Sequence, residues 1–245
     1  PIEKKNPGDI VYYTDSNNQR IMHPVQEHYT VYRDAIFTLT ANIGQYCSYC
    51  EGFEKLPSLD IEHIVPKNKG GSLTAWDNFL LCCKICNSNK GTKKVDTDNY
   101  HCPHLNNTFY SFIYDETGRI SVNSNMSELS RKKAQNLLNL LKLQRYPGTE
   151  NTPTPKDFRW QYRYEAWNKA SRFRKLFLEG WITEDDVISY AKDTGQWSIW
   201  FTVFNGVDSV RRRLISDFPG TCASCFDENN HYEPLERNPG CEDPI

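Results

Sequence analysis

Two Cys-x-x-Cys pairs, Cys47-Ser48-Tyr49-Cys50 and Cys83-Lys84-Ile85-Cys86, bracket a single acid–histidine pair, Glu62-His63. Asn78 lies before the second pair and Asn87 directly follows it. A structural zinc ion takes four soft ligands in a tetrahedron, and each Cys-x-x-Cys turn delivers two thiolates to one point. Cys47, Cys50, Cys83 and Cys86 are therefore the expected Zn2+ ligands. Cys82 is left over, because Cys83 keeps the two-residue spacing to Cys86. Two disulfides are the competing use of these cysteines, and a reducing compartment disfavours them.

The residues inside the frame suit phosphodiester hydrolysis. That reaction needs a base to deprotonate water, a group to orient the base, and a cation to take up charge on the phosphate and the leaving oxygen. His63 is the candidate base. Glu62 and Asn87 offer the hard oxygens that Mg2+ prefers. The Asn78 amide can pin the loop that holds the imidazole. Lys84 and Lys90 can meet phosphate, as can Lys67 and Lys69 in the loop between them and His63. The plainer reading is a zinc-stapled binding module in which His63 is an ordinary interior or surface histidine.

The elements around these residues must bring them together. Leu59 to Val65 reads as a strand ended by Pro66, Lys69-Gly70-Gly71 as a turn, Phe79 to Leu81 as a second strand, and Cys83 to Lys90 as a helix. Before this stretch, residues 1–22 look irregular, with Asp15-Ser16-Asn17-Asn18 as turn chemistry. Val25, Tyr29, Tyr32, Ile36, Leu39 and Ile43 recur at helical spacing and predict a helix from Val25 to Ile43, stopped by Gly44.

After it, His101-Cys102-Pro103-His104 has no second half-site at metal spacing and reads as structural. Thr108–Ile113 and Arg119–Val122 predict a hairpin around Asp115-Glu116-Thr117-Gly118. Ser127 caps a predicted helix to about Arg145. From Lys156 the chain reads helical, with Trp160, Tyr164, Trp167, Ala170, Phe173 and Phe177 as a core or interface stripe. Thr183 caps a short helix, and Val207–Ser216 forms another. In the tail, Cys222, Cys225, His231 and Cys241 have loose spacing for a second zinc site.

These segments divide into 1–44, a leading segment and helix; 45–107, the metal-stapled core; 108–150, a hairpin and helix; and 151–245, a helical region with an acidic tail. Net charge is −2, so the chain as a whole carries no basic footprint. Charge is uneven, however. Residues 61–95 hold six lysines against two acids, and residues 156–175 hold seven basic residues against two acids. Residues 217–245 hold seven acids and one arginine. A polyanion is attracted to the first two regions and repelled by the tail. No run of about eighteen apolar residues offers a membrane span. The opening Pro-Ile-Glu-Lys-Lys lacks the apolar core of a signal peptide. The expectation is a soluble, cytoplasmic protein.

The ordered set Cys-x-x-Cys, Glu62-His63-Ile64-Val65-Pro66, Gly70-Gly71, Asp77-Asn78 and Cys-x-x-Cys-Asn-x-x-Lys-Gly resembles the HNH endonucleases of the His-Me finger superfamily. The resemblance covers Cys47 to Gly91. It implies a ββα-metal active site, with His63 as general base, Glu62 and Asn87 as ligands of one Mg2+ or Mn2+, and Asn78 as the orienting residue. Glu62 stands where Asp is commoner. The implied fold is α+β and mostly helical: a zinc-stapled ββα-metal core within a helical chain, with a predominantly α-helical C-terminal half.

A looser resemblance, over about residues 40–145, links Tyr100–Leu105, the hairpin and Arg131–Leu137 to the HNH subunit of Septu-type and retron-associated bacterial antiphage systems, the PtuB-like proteins. It implies an ABC/SMC-like ATPase partner of the PtuA-like kind, in some systems a retron reverse transcriptase with its multicopy DNA, and DNA or tRNA as substrate in the bacterial cytoplasm. The rival expectations are a stand-alone restriction-type nuclease and a zinc-stapled adaptor that has lost its chemistry.

Overall fold

The computed structural model describes residues 1–14 and 17–236. The chain begins with an antiparallel hairpin, β1 (Ile10–Thr14) and β2 (Arg20–Pro24), in register from Ile10 opposite Pro24 to Thr14 opposite Arg20. The sequence predicts irregular chain over residues 1–22. Ile10, Tyr12 and Met22 face solvent while Val11 is buried, so apolar residues occupy both faces and the period of two is lost.

The helix expected from Val25 begins ten residues later, as α1 (Ala35–Ile43). Residues 27–29 instead pair with the loop at residues 74–76. The Tyr29 N–H donates to Thr74 O at 2.8 Å, the Trp76 N–H donates to Glu27 O at 2.9 Å, and His28 bridges Ala75. These bonds use the backbone groups a helix would have needed. Val25, Tyr29, Leu39 and Ile43 are still all buried in one core. Gly44, at φ +76°, ends α1.

The centre of the chain is a strand pair and a helix. β3 (Leu59–His63) runs antiparallel to β4 (Phe79–Cys83), with Leu59 opposite Cys83 and His63 opposite Phe79. α2 (Lys84–Lys90) follows without a break, capped by the Cys83 thiol, which accepts the Cys86 N–H. All five β4 residues are buried because both faces of the hairpin are covered. Phe79 and Leu81 pack with α1 and Trp76. Leu80 and Cys82 pack on the other side with the zinc-spaced cysteines and with Ala134, Leu137, Leu138 and Leu141.

Thr108–Ser111 forms a helical turn, α3, rather than the start of a strand, because the Asn107 side chain caps it by accepting the Tyr110 N–H. The hairpin is shorter than predicted, β5 (Phe112–Tyr114) with β6 (Ile120–Val122). α4 (Glu128–Leu141) starts at the Ser127 cap and stops short of Arg145, where Lys142 turns left-handed at φ +54°.

Helices α5 (Arg159–Leu178), α6 (Glu184–Thr194), α7 (Trp197–Val203) and α8 (Asp208–Asp217) build a separate core around Trp200, Phe201, Phe204 and Leu214. A two-residue hairpin, β7 (Phe226–Asp227) with β8 (Glu233–Pro234), follows. The aromatic stripe of α5 divides: Ala170 is buried and Phe173 and Phe177 pack against this core, while Tyr164 is exposed, and the other buried residues of the helix are Arg159, Arg163 and Ala166. Helix outweighs strand, about 41% against 16%, so the fold is mixed and helix-rich.

Candidate active site and metal centre

The four cysteine sulfurs, Cys47, Cys50, Cys83 and Cys86, lie within 4.8 Å of one another, and the Cys50 and Cys83 sulfurs are 3.8 Å apart. Thiolates about 2.3 Å from one zinc would sit at such separations, so the donor set fits a tetrahedral Zn2+. Cys47, Cys83 and Cys86 are buried and Cys50 is half-buried. Among the described residues this is the one group of His, Cys, Asp or Glu side chains spaced to hold a metal. Cys222, Cys225 and His231 do not form another; His231 Nδ1 instead meets Asp208 at 2.8 Å. Cys241 lies outside the described residues.

His63 ends β3. Its ring lies edge-on to Tyr32 and to Phe79, with centroids 5.1 Å and 5.2 Å away. Its Nε2 is 3.2 Å from Leu73 O. A carbonyl oxygen only accepts, so Nε2 carries the proton in this contact and Nδ1 keeps its lone pair in the neutral ring. Asn78 holds the loop that presents Leu73. Its Oδ1 accepts the Val65 N–H at 2.8 Å, and its Nδ2 donates to Val65 O at 2.9 Å and Ser72 O at 2.7 Å. Gly71 lets that loop close. A Cβ there would fall 1.7 Å from Val65 O.

Two rungs join β3 to α2. Asp60 and Glu62, two apart on the strand, share one face, and they meet α2 residues a turn apart. Asp60 accepts Asn87 Nδ2 at 2.9 Å and is also ion-paired with Lys84. Glu62 is ion-paired with Lys90, whose Nζ also donates to His63 O at 2.8 Å. Both Glu62 and Lys90 are enclosed, at 3% and 2% exposure. Burial pushes the Glu62 carboxyl up to about 7, and the Lys90 ammonium beside it pulls the other way.

Several expected roles must be placed anew. Lys90 cannot meet phosphate from the surface, because it is buried under the strand it supports. Lys84 is exposed but spends its charge on Asp60. Lys67 and Lys69 stand exposed on a 3-10 turn after β3. Glu62 faces Lys90, and the Asn87 side-chain amide faces Asp60.

Sequence reasoning missed Asp60, Tyr32 and Arg159. The period of two along β3 places Asp60 on the face of Glu62. Tyr32 belongs to the spacing that predicts a helix from Val25. Arg159 was counted among the basic residues facing a polyanion, yet its guanidinium is buried and donates to Cys86 Sγ at 3.1 Å. Burial works against its charge, and the Asp157 carboxylate together with the Cys86 and Cys50 sulfurs more than restores it. Nothing in local sequence marks a contact across 73 residues.

His101 and Cys102 are buried. His101 Nδ1 lies 2.7 Å from the Ser111 hydroxyl, in keeping with a structural role. No curated protein matches the chain. Residues 47–93 match the family model described as HNH endonuclease, which supports the HNH superfamily for the stretch built here from its cysteines, His63 and α2.

Proposed function

We propose that this chain is a metal-dependent HNH endonuclease in which His63 is the general base. The observation that carries the reading is the orientation of the imidazole. Nε2 is held by Leu73 O, the loop bearing Leu73 is held by Asn78, and the backbone of His63 is held by Lys90. An imidazole fixed in this way keeps Nδ1 available to take a proton from water. The resulting hydroxide attacks phosphorus in line. The P–O3′ bond breaks, leaving a 5′ phosphate, and the departing 3′ oxygen gains a proton from solvent.

A bound Mg2+ or Mn2+ would supply charge stabilisation on the phosphate and the leaving oxygen. Asn87 would hold it. Of the two carboxylates, Asp60 is beside Asn87 and reaches solvent, whereas Glu62 is committed to Lys90. Cys47, Cys50, Cys83 and Cys86 would hold a structural Zn2+, which would keep β4 and α2 in register with the Cys47–Cys50 turn.

We further propose that the nuclease works as the effector subunit of a bacterial antiphage complex with an ABC/SMC-like ATPase. Exposed apolar residues along and after α5 support a docking surface in the C-terminal half: Phe158, Tyr162, Tyr164, Leu178 and Trp181, the last at 76% exposure. Among the described residues no helix is long and apolar enough to cross a membrane.

The test is cleavage of plasmid DNA and of tRNA by the chain alone and by the chain co-purified with neighbouring gene products, with and without Mg2+ and ATP. Mg2+-dependent cutting is expected. Its absence under every condition overturns the nuclease reading. Full activity of the chain alone without ATP overturns the dependence on an ATPase.

A further inference from the structure

We propose that Arg159 is an outer-sphere residue of the zinc centre, one that ties the first turn of α5 to the four-cysteine site. This rests on reading the four cysteines as a zinc site, and it concerns a residue well outside the 47–93 stretch.

Every nitrogen of the Arg159 guanidinium is engaged. Nε donates to Asp157 Oδ1 and Nη2 to Asp157 Oδ2, both at 2.8 Å; Nη2 also reaches Lys142 O at 3.2 Å. Nη1 donates to Cys86 Sγ at 3.1 Å. The side chain is 4% exposed, so water cannot substitute for these partners. The Asp157 fork fixes the plane of the guanidinium and therefore aims Nη1 at the sulfur. Arg145 lies 3.6 Å from the same carboxylate, so the segment between α4 and α5 closes on this point.

Charge explains why an arginine belongs there. Zn2+ with four thiolates carries a net charge of about −2. A buried net charge is costly unless it is paired and hydrogen-bonded. Arg159 supplies one positive charge and one N–H···S bond from outside the ligand set. Such outer-shell donors orient metal ligands and tune the metal. Without the ion the four sulfurs need not stay together, and Nη1 loses a fixed acceptor.

Arg163, one turn further along α5, gives an internal control. It is equally buried, but it donates to Gly118 O at 2.8 Å and Leu143 O at 3.0 Å and is bonded to no thiolate. A purely structural role for buried arginines on α5 would make the two residues behave alike.

The experiment compares the 245-residue chain with its Arg159→Met, Arg159→Lys and Arg163→Met variants. Zinc transfer to a chromogenic chelator is followed, as are the sulfur-to-cobalt charge-transfer bands of Co2+-loaded protein. Arg159→Met should weaken zinc retention about 10-fold or more and shift the cobalt bands. Arg159→Lys keeps the charge but not the fork and should fall between Arg159→Met and wild type. Arg163→Met should lower thermal stability while leaving both metal readouts unchanged. If Arg159→Met does not fold, Asp157→Asn replaces it: it keeps the guanidinium, loosens its aim, and should shift the same readouts in the same direction. Wild-type zinc retention and cobalt spectra in the Arg159 or Asp157 variants overturn the proposal, as do equal effects of Arg159→Met and Arg163→Met. A wild-type chain that binds neither zinc nor cobalt removes the zinc reading itself.

Discussion

The Lys90 ammonium is buried against the Glu62 carboxylate and donates to the backbone carbonyl of His63, the next residue along β3. One side chain of α2 thus neutralises the acid before the proposed base and fixes the backbone that carries it. Removing one member leaves the other charge buried and unpaired. Lys90→Met should therefore cost about 3–5 kcal/mol in denaturant unfolding. The double change Glu62→Gln with Lys90→Met should recover much of that loss. A single variant within about 1 kcal/mol of wild type would show that water reaches the pair.

The two rungs between β3 and α2 separate the carboxylates by role. Mn2+ binding to a His63→Ala chain, read by the electron paramagnetic resonance of free Mn2+, should weaken about 10-fold or more in Asp60→Asn, since a coordinating oxygen and its charge are lost. Glu62→Gln should leave Mn2+ binding close to that of the parent while lowering stability. The reverse ranking would restore Glu62 as the metal ligand.

Asn78 and Gly71 act on the same loop. Asn78→Ala removes three hydrogen bonds to Val65 and Ser72, and Gly71→Ala forces Val65 O away. Each should lower kcat by about 100-fold through misplacement of the base, with zinc content unchanged. A rise in KM alone would mean that the loop binds substrate and does not orient His63.

His101 offers a pH test away from the active site. Burial, helped by the nearby Lys133 ammonium, lowers its pKa to about 4, while the unfolded chain titrates near 6.5. Between those values the unfolded state binds more protons. Stability is therefore fully present above pH ~6.5 and lost as pH falls toward ~4, by at most about 3 kcal/mol. Urea midpoints across this range should show the slope in wild type and a flatter profile in His101→Asn. An unchanged slope would assign the acid sensitivity to other groups.

The zinc-spaced cysteines, the strand–strand–helix order and the stop at Gly44 could be read from local spacing, because each depends on neighbours in sequence. The start of α1 could not. The period from Val25 to Ile43 marks burial correctly, but Glu27 and Tyr29 give their backbone groups to Thr74 and Trp76, which no local pattern records. Lys90 and Arg159 failed as surface cations for a related reason. A long cationic side chain is buried only where distant acceptors wait for it, here Glu62 and His63 for one, Asp157 and Cys86 for the other.

The central claim is tested most directly by His63→Ala. Single-turnover cleavage of DNA and tRNA would be measured with Mg2+ on wild-type and variant protein of equal zinc content and equal thermal midpoint. The expected result is loss of cleavage by about 100-fold or more, with wild-type products bearing 5′ phosphate and 3′ hydroxyl ends. Undiminished cleavage by His63→Ala would contradict the assignment of His63 as the base.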